Sequence, residues 1–154
     1  MKNESLTVAI IGCGRLGQIY ATAYAKRPDT TIVAIADANA ERLEVVGNRF
    51  GVTRLFADAS SLFEEVVPDV VALVLPVRHI KAAVLAAVAA GVRGITTDKP
   101  IAASLADADA MVEACKTRGV KFGGGGIERS KWEVELTGRW LQEGLSLIHI
   151  SEPT

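Results

Sequence analysis

Sulfur and aromatic residues are sparse in this chain. Cys13 and Cys115 are its two cysteines, one in a glycine-rich turn and the other on the apolar side of an expected helix. That placement argues against a structural disulfide, and neither spacing suits zinc, so no metal is expected and a reducing cytoplasm is the natural setting. Aromatics make up 5% of the residues, while alanine, valine, isoleucine and glycine are abundant. The balance suits buried parallel strands and closely packed helices better than an all-β sandwich. An excess of one charge is lacking too: the formal net charge is -1 and both signs are scattered. Nothing therefore predicts a nucleic-acid partner or an acidic membrane surface. Long apolar runs are absent. The first one is broken by Gly12 and has no cleavage site of a secretory leader, and the apolar helix around residues 82–90 is too short to cross a bilayer.

What is present is a regular alternation. Short β-branched runs at Leu6 to Ile11, Thr31 to Ala36, Arg54 to Ala57, Asp69 to Leu75, Gly94 to Thr97 and Val120 to Phe122 predict six strands. Helical periodicity separates them. Leu16, Ile19, Tyr20, Ala23 and Tyr24 form one stripe, stopped by Pro28, and Leu43, Val46 and Phe50 form another, ended by Gly51. Ser61 to Glu64 and Ser104 to Asp107 have the pattern of capping boxes, the second opening a helix with Leu105, Ala108, Val112 and Cys115 inward. A helix from about Val77 to Ala90 closes on Gly91, and Ser130 to Glu133 caps a last helix bearing Trp132, Leu136 and Trp140. Strands alternating with helices predict an α/β architecture, a doubly wound parallel-sheet Rossmann fold.

The chemistry gathers where strands end. Gly12-Cys13-Gly14-Arg15-Leu16-Gly17 follows the first strand directly and opens a helix. Gly12 permits the tight turn, Gly14 lets the backbone approach a pyrophosphate, and Gly17 allows close packing. Free N–H groups at the helix N-terminus then face the phosphates. About 20 residues after Gly17, Asp37 closes the second strand, where a carboxylate accepts hydrogen bonds from the adenosine ribose and disfavours a 2′-phosphate. NAD is thus the expected cofactor, with NADP admitted by the neighbouring Arg42. The alternative is that the glycines only turn the chain and Asp37 only caps the next helix. Asp98-Lys99-Pro100 follows the fifth strand, at the sheet edge where open α/β folds place ligands. Lys99 there is either a contact for substrate hydroxyls and the nicotinamide ribose or a solvated loop lysine.

With these residues together, the run from Thr7 to about Gly126 resembles the N-terminal domain of the glucose–fructose oxidoreductase / inositol dehydrogenase family (Gfo/Idh/MocA). The shared features are the turn at Gly12 to Gly17, Ala36-Asp37, Leu75-Pro76-Val77-Arg78-His79, and Asp98-Lys99-Pro100. Asp98 stands where the family's pattern has the longer Glu. The resemblance implies an NAD(P)-dependent oxidoreductase that transfers a hydride between nicotinamide and a sugar, polyol or related hydroxyl or carbonyl compound. It implies cofactor contacts at Gly12, Cys13, Gly14, Arg15, Leu16, Gly17, Asp37, Leu75, Pro76, His79, Asp98 and Lys99. Lys99 is the implied catalytic residue, and the Lys99–Pro100 bond is expected to be cis. Arg129 resembles the family's arginine after strand six. A non-catalytic dinucleotide sensor or regulator is the competing expectation.

The resemblance also implies an organisation. Residues 1–126 read as the dinucleotide-binding domain and 127–144 as a helix leading toward a second, substrate-binding domain that this chain lacks. Residues 145–154 read as a non-native tail, so His149 is not cast as a catalyst. The fragment alone is expected to be inactive, and the intact enzyme to be a homo-oligomer.

Overall fold

The computed structural model describes residues 5–124 and 132–144. Six strands form one parallel sheet: β1 (Leu6–Ile11), β2 (Thr30–Ala36), β3 (Leu55–Phe56), β4 (Val70–Leu73), β5 (Gly94–Thr97) and β6 (Lys121–Gly124). Their order is β3-β2-β1-β4-β5-β6. Helices α1 (Arg15–Ala25), α2 (Ala40–Phe50), α3 (Ala59–Glu65), α4 (Val77–Ala90) and α5 (Leu105–Arg118) alternate with the strands, and α6 (Trp132–Gln142) follows. This is the expected doubly wound α/β sheet, all parallel, with the strand order switching sides between β1 and β4. The crevice at the carboxyl ends of those two strands is where such sheets take ligands.

The strands read as continuous apolar runs because both faces are covered. Val8, Ile10, Ile35 and Ala72 point to one core with Ala21, Leu43 and Val46 of α1 and α2. Ala9, Ile11, Val71, Leu73 and Ile95 point to the other, against Leu62, Ile80, Val84, Met111 and Cys115 of α3, α4 and α5. Alternation along a strand sends neighbours to opposite layers, and burial in both leaves no polar face.

Several helix faces differ from the periodicity expected of them. On α1 the buried residues are Gly17 and Ala21, while Ile19 is 51% exposed. The small residues let the helix lie close on the sheet, which rotates the contact line away from the bulkier stripe. On α5, Leu105 is 84% exposed and Val112 is also exposed, whereas Met111 and Cys115 are buried. Leu105 is the first helical residue. The cap of α3 is Asp58, which accepts the Ser61 N–H at 2.8 Å, so Ser61 lies inside the helix it was expected to open. Ser104 caps α5 through the Asp107 N–H at 3.1 Å, as its sequence predicts. Strand β4 ends two residues before the expected Leu75, and Val74 and Leu75 become cleft wall. The Ser130 cap, Arg129, the Trp132 side chain and residues 145–154 lie outside the described residues. Among the described residues no helix is long and apolar enough to cross a membrane.

Candidate functional site

The turn after β1 is shaped by two close approaches. Gly12 has φ +99° and its N–H donates to the Ala36 carbonyl at 2.8 Å. A Cβ on Gly12 would collide with the Val74 carbonyl, and one on Gly17 would collide with the carbonyl of Gly12 itself. The turn therefore folds back on α1 and against the end of β4. A Cβ on Gly14 would meet only the Arg42 guanidinium, at 3.8 Å, so this residue presents bare backbone to the cleft. Gly14 is the N-cap of α1 and offers no side-chain acceptor, and the first turn holds no acidic residue. The leading N–H groups of α1 are thus left for an anion, which the helix dipole also favours.

Asp37 ties this turn to β2. Its Oδ2 accepts the Cys13 N–H at 2.6 Å and its Oδ1 accepts the Asn39 N–H at 2.8 Å. The Arg42 guanidinium lies 3.5 Å from the same Oδ2, and the Asp37 side chain is 9% exposed. Each carboxylate oxygen retains acceptor capacity after one backbone bond, so the group can brace the turn and still receive a hydroxyl. Cys13 sits beneath the turn rather than on the cleft wall. Its buried thiol donates to the Ala36 carbonyl at 3.7 Å. Burial, and then the Asp37 carboxylate, push it up to about 12 against an opposing pull from Arg42.

Two clefts meet at Gly14, Val74 and Leu75. The larger, of about 590 Å³, holds Gly12, Asp37, Arg42, Pro76 and His79. The smaller, of about 290 Å³, holds Arg15, Leu16, Gly17, Asp98 and Lys99. Every cofactor-contact residue expected from sequence except Cys13 thus lies on one continuous crevice. His79 and Lys99 are both exposed on its rim. The Lys99–Pro100 bond is cis. The buried Thr97 hydroxyl donates to the Leu73 carbonyl at 3.0 Å, holding the ends of β4 and β5 side by side under Asp98.

Sequence reasoning missed the supports of this crevice. Gln18 Nε2 donates to the Cys13 carbonyl at 3.3 Å, and Arg49 donates to Gln18 Oε1 at 3.2 Å, so α2 braces the turn through α1. Asp58 and Ala59, at the start of α3, close the larger cleft. Polar residues spaced for a helix surface gave no signal of these roles.

Known proteins resemble this chain in sequence and fold. A family model described as an oxidoreductase family with an NAD-binding Rossmann fold matches residues 6–125. The chain is 36% identical over 138 residues to a D-apiose dehydrogenase of Paraburkholderia graminis, covering 88% of this chain and 36% of the relative. It is 30% identical over 111 residues to a myo-inositol 2-dehydrogenase of Thermotoga maritima, covering 72% of this chain and 33% of that protein. An Agrobacterium radiobacter oxidoreductase solved with NAD+, L-tartaric acid and magnesium superposes with a TM-score of 0.84 at 31% identity, covering 91% of this chain and 41% of that one. The chain spans about a third to two-fifths of the length of these proteins.

Proposed function

The chain belongs to the Gfo/Idh/MocA oxidoreductase family, and on that premise we propose that it is the NAD-binding unit of a sugar or polyol dehydrogenase. The observation that carries this is the convergence of the bare Gly14 backbone, the Asp37 carboxylate and the Asp98-Lys99 pair on one crevice. The residues fit a dinucleotide. The first turn of α1 takes the pyrophosphate, Asp37 accepts from the adenosine ribose, and Asp98 and Lys99 flank the far end. NAD would supply the hydride acceptor. Lys99 then orients a substrate hydroxyl or carbonyl and favours negative charge on its oxygen as that hydride moves.

Asp37 favours NAD, because a 2′-phosphate would face a carboxylate. Arg42 at 3.5 Å partly offsets that charge and supports residual acceptance of NADP. Relatives named as dehydrogenases, and Lys99 at the crevice, favour turnover in the whole protein over a sensor role. Two buried, unpaired cysteines suit a reducing cytoplasm. Residues 1–126 form the dinucleotide domain in this reading, with residues 127–144 leading to a substrate domain.

Titration of the chain with NADH, followed by nicotinamide fluorescence, tests the proposal. Saturable binding is expected, and NADPH should bind more weakly. Asp37→Ser should weaken NADH roughly tenfold and NADPH much less, as loss of a charged hydrogen-bond acceptor predicts. Absence of any saturable signal with NADH overturns the reading.

A further inference from the structure

The peptide between Cys13 and Gly14 is held by its carbonyl. Gln18, in the first turn of α1, reaches back along the chain and donates through Nε2 to the Cys13 carbonyl at 3.3 Å. The other end of the same amide is also taken: Arg49 of α2 donates to Gln18 Oε1 at 3.2 Å. The Arg49 guanidinium in turn lies over the Phe50 ring, 5.2 Å from its centroid. A guanidinium only donates, so it must meet the amide oxygen, and Arg49 thereby fixes the amino end of Gln18 toward Cys13. The Cys13–Gly14 bond is trans, and a planar trans peptide sends its C=O and N–H to opposite sides. With the Cys13 carbonyl turned to Gln18, the Gly14 N–H is aimed the other way. That N–H has no acceptor among the described residues. Gly14 lines both clefts, together with Val74 and Leu75. The preceding N–H, that of Cys13, is already engaged by Asp37.

We propose that Gln18 is a positioning residue for the pyrophosphate: by holding the Cys13 carbonyl, it keeps the Gly14 N–H pointed into the crevice as a phosphate donor. The inference rests on the dinucleotide reading above and names the side chain that orients its phosphate site. Gln18 acts through the backbone and does not touch the ligand. Arg49 acts one step further back, by keeping the Gln18 amide the right way round. The peptide needs such a hold, because Gly14 has no Cβ to restrict its own rotation. Turned over, the same peptide would present the Cys13 carbonyl to the phosphates, and its partial negative charge would repel them.

Amide NMR spectra and a double-mutant cycle test it. ADP carries the pyrophosphate and adenosine carries no phosphate, so the two separate this role from a general one. In the unaltered chain, saturation with ADP should move the Gly14 amide proton downfield. Gln18→Met keeps the side-chain length without the donor. It should weaken NADH and ADP about fivefold, the size of one hydrogen bond in a partly exposed site. It should change adenosine less than about twofold and lose most of the Gly14 shift. Arg49→Met should weaken ADP about threefold. The double variant should bind ADP no worse than Gln18→Met alone, whereas residues acting separately would multiply to about 15-fold. A Gly14 amide unmoved by ADP, an unweakened Gln18→Met, an equal fall in adenosine affinity, or multiplying losses each overturn the proposal while leaving the dinucleotide reading intact. Failure of the unaltered chain to bind NADH defeats both at once.

Discussion

The two ends of the crevice are built differently. Around Asp37 both carboxylate oxygens are bonded to backbone N–H groups, the turn glycines press on neighbouring carbonyls, and Gln18 and Arg49 brace the turn from outside. Around Asp98 and Lys99 the side chains line the smaller cleft and Lys99 is exposed. One end is formed before a ligand arrives. The other presents groups whose geometry the ligand completes. In the proposed reading, rigid anchoring of the adenosine half would lower the entropy that binding must overcome, while the half nearest the chemistry would keep its donors open for a substrate.

The contrast is open to test, beginning with the largest effect. Gly12→Ala forces a side chain onto a φ of +99° and into the Val74 carbonyl. It should destabilise the fold by about 3 kcal/mol or more, read as a lowered Tm by circular dichroism. A near-native Tm would mean that the turn is far softer than its contacts imply.

Next in size is an alkaline effect at Cys13. An unfolded thiol ionises near 9, while the buried one is pushed up to about 12. Between these values the unfolded chain releases a proton that the folded chain keeps. The contribution is therefore whole below pH 9 and is lost as pH rises toward 12, at about 1.4 kcal/mol per unit. Urea unfolding at pH 8 and pH 10 should show the loss, and Cys13→Ala should show a smaller one. An equal alkaline loss in the variant would detach Cys13 from the preformed end.

The smallest effect is expected at the open end. Lys99→Ala should lower NADH affinity only about threefold and leave Tm unchanged, as suits one exposed cation contributing below 1 kcal/mol. A loss matching that of Asp37→Ser would erase the distinction between the two ends.

Much of the site was legible in the sequence because its signals are local. Gly12 and Gly17 sit immediately after a strand, Asp37 ends the next one, and Asp98-Lys99-Pro100 ends the fifth. Each is a backbone requirement or a charge placed at a strand terminus, and parallel strands bring their termini to one edge. The errors fell where a residue's role depends on how its helix lies. Ile19, Leu105 and Val112 fit an inward stripe on a helical wheel, yet each is exposed. Ser61 fits a capping box, but Asp58 takes the N–H first. Cys13 falls within the glycine-rich turn but lies beneath it.

By itself, the sequence determined the alternation of strands and helices, the parallel sheet that follows from two-sided burial, and the turn that only glycine can make. Those depend on periodicity, Cβ sterics and strand termini, all short-range properties. Tertiary structure decided which helix faces are buried, that Asp37, expected as a ribose acceptor, also braces the turn, and that Gln18 and Arg49 stand behind the site. Those depend on distances between elements far apart in the chain, set by how closely Gly17 and Ala21 let α1 approach the sheet.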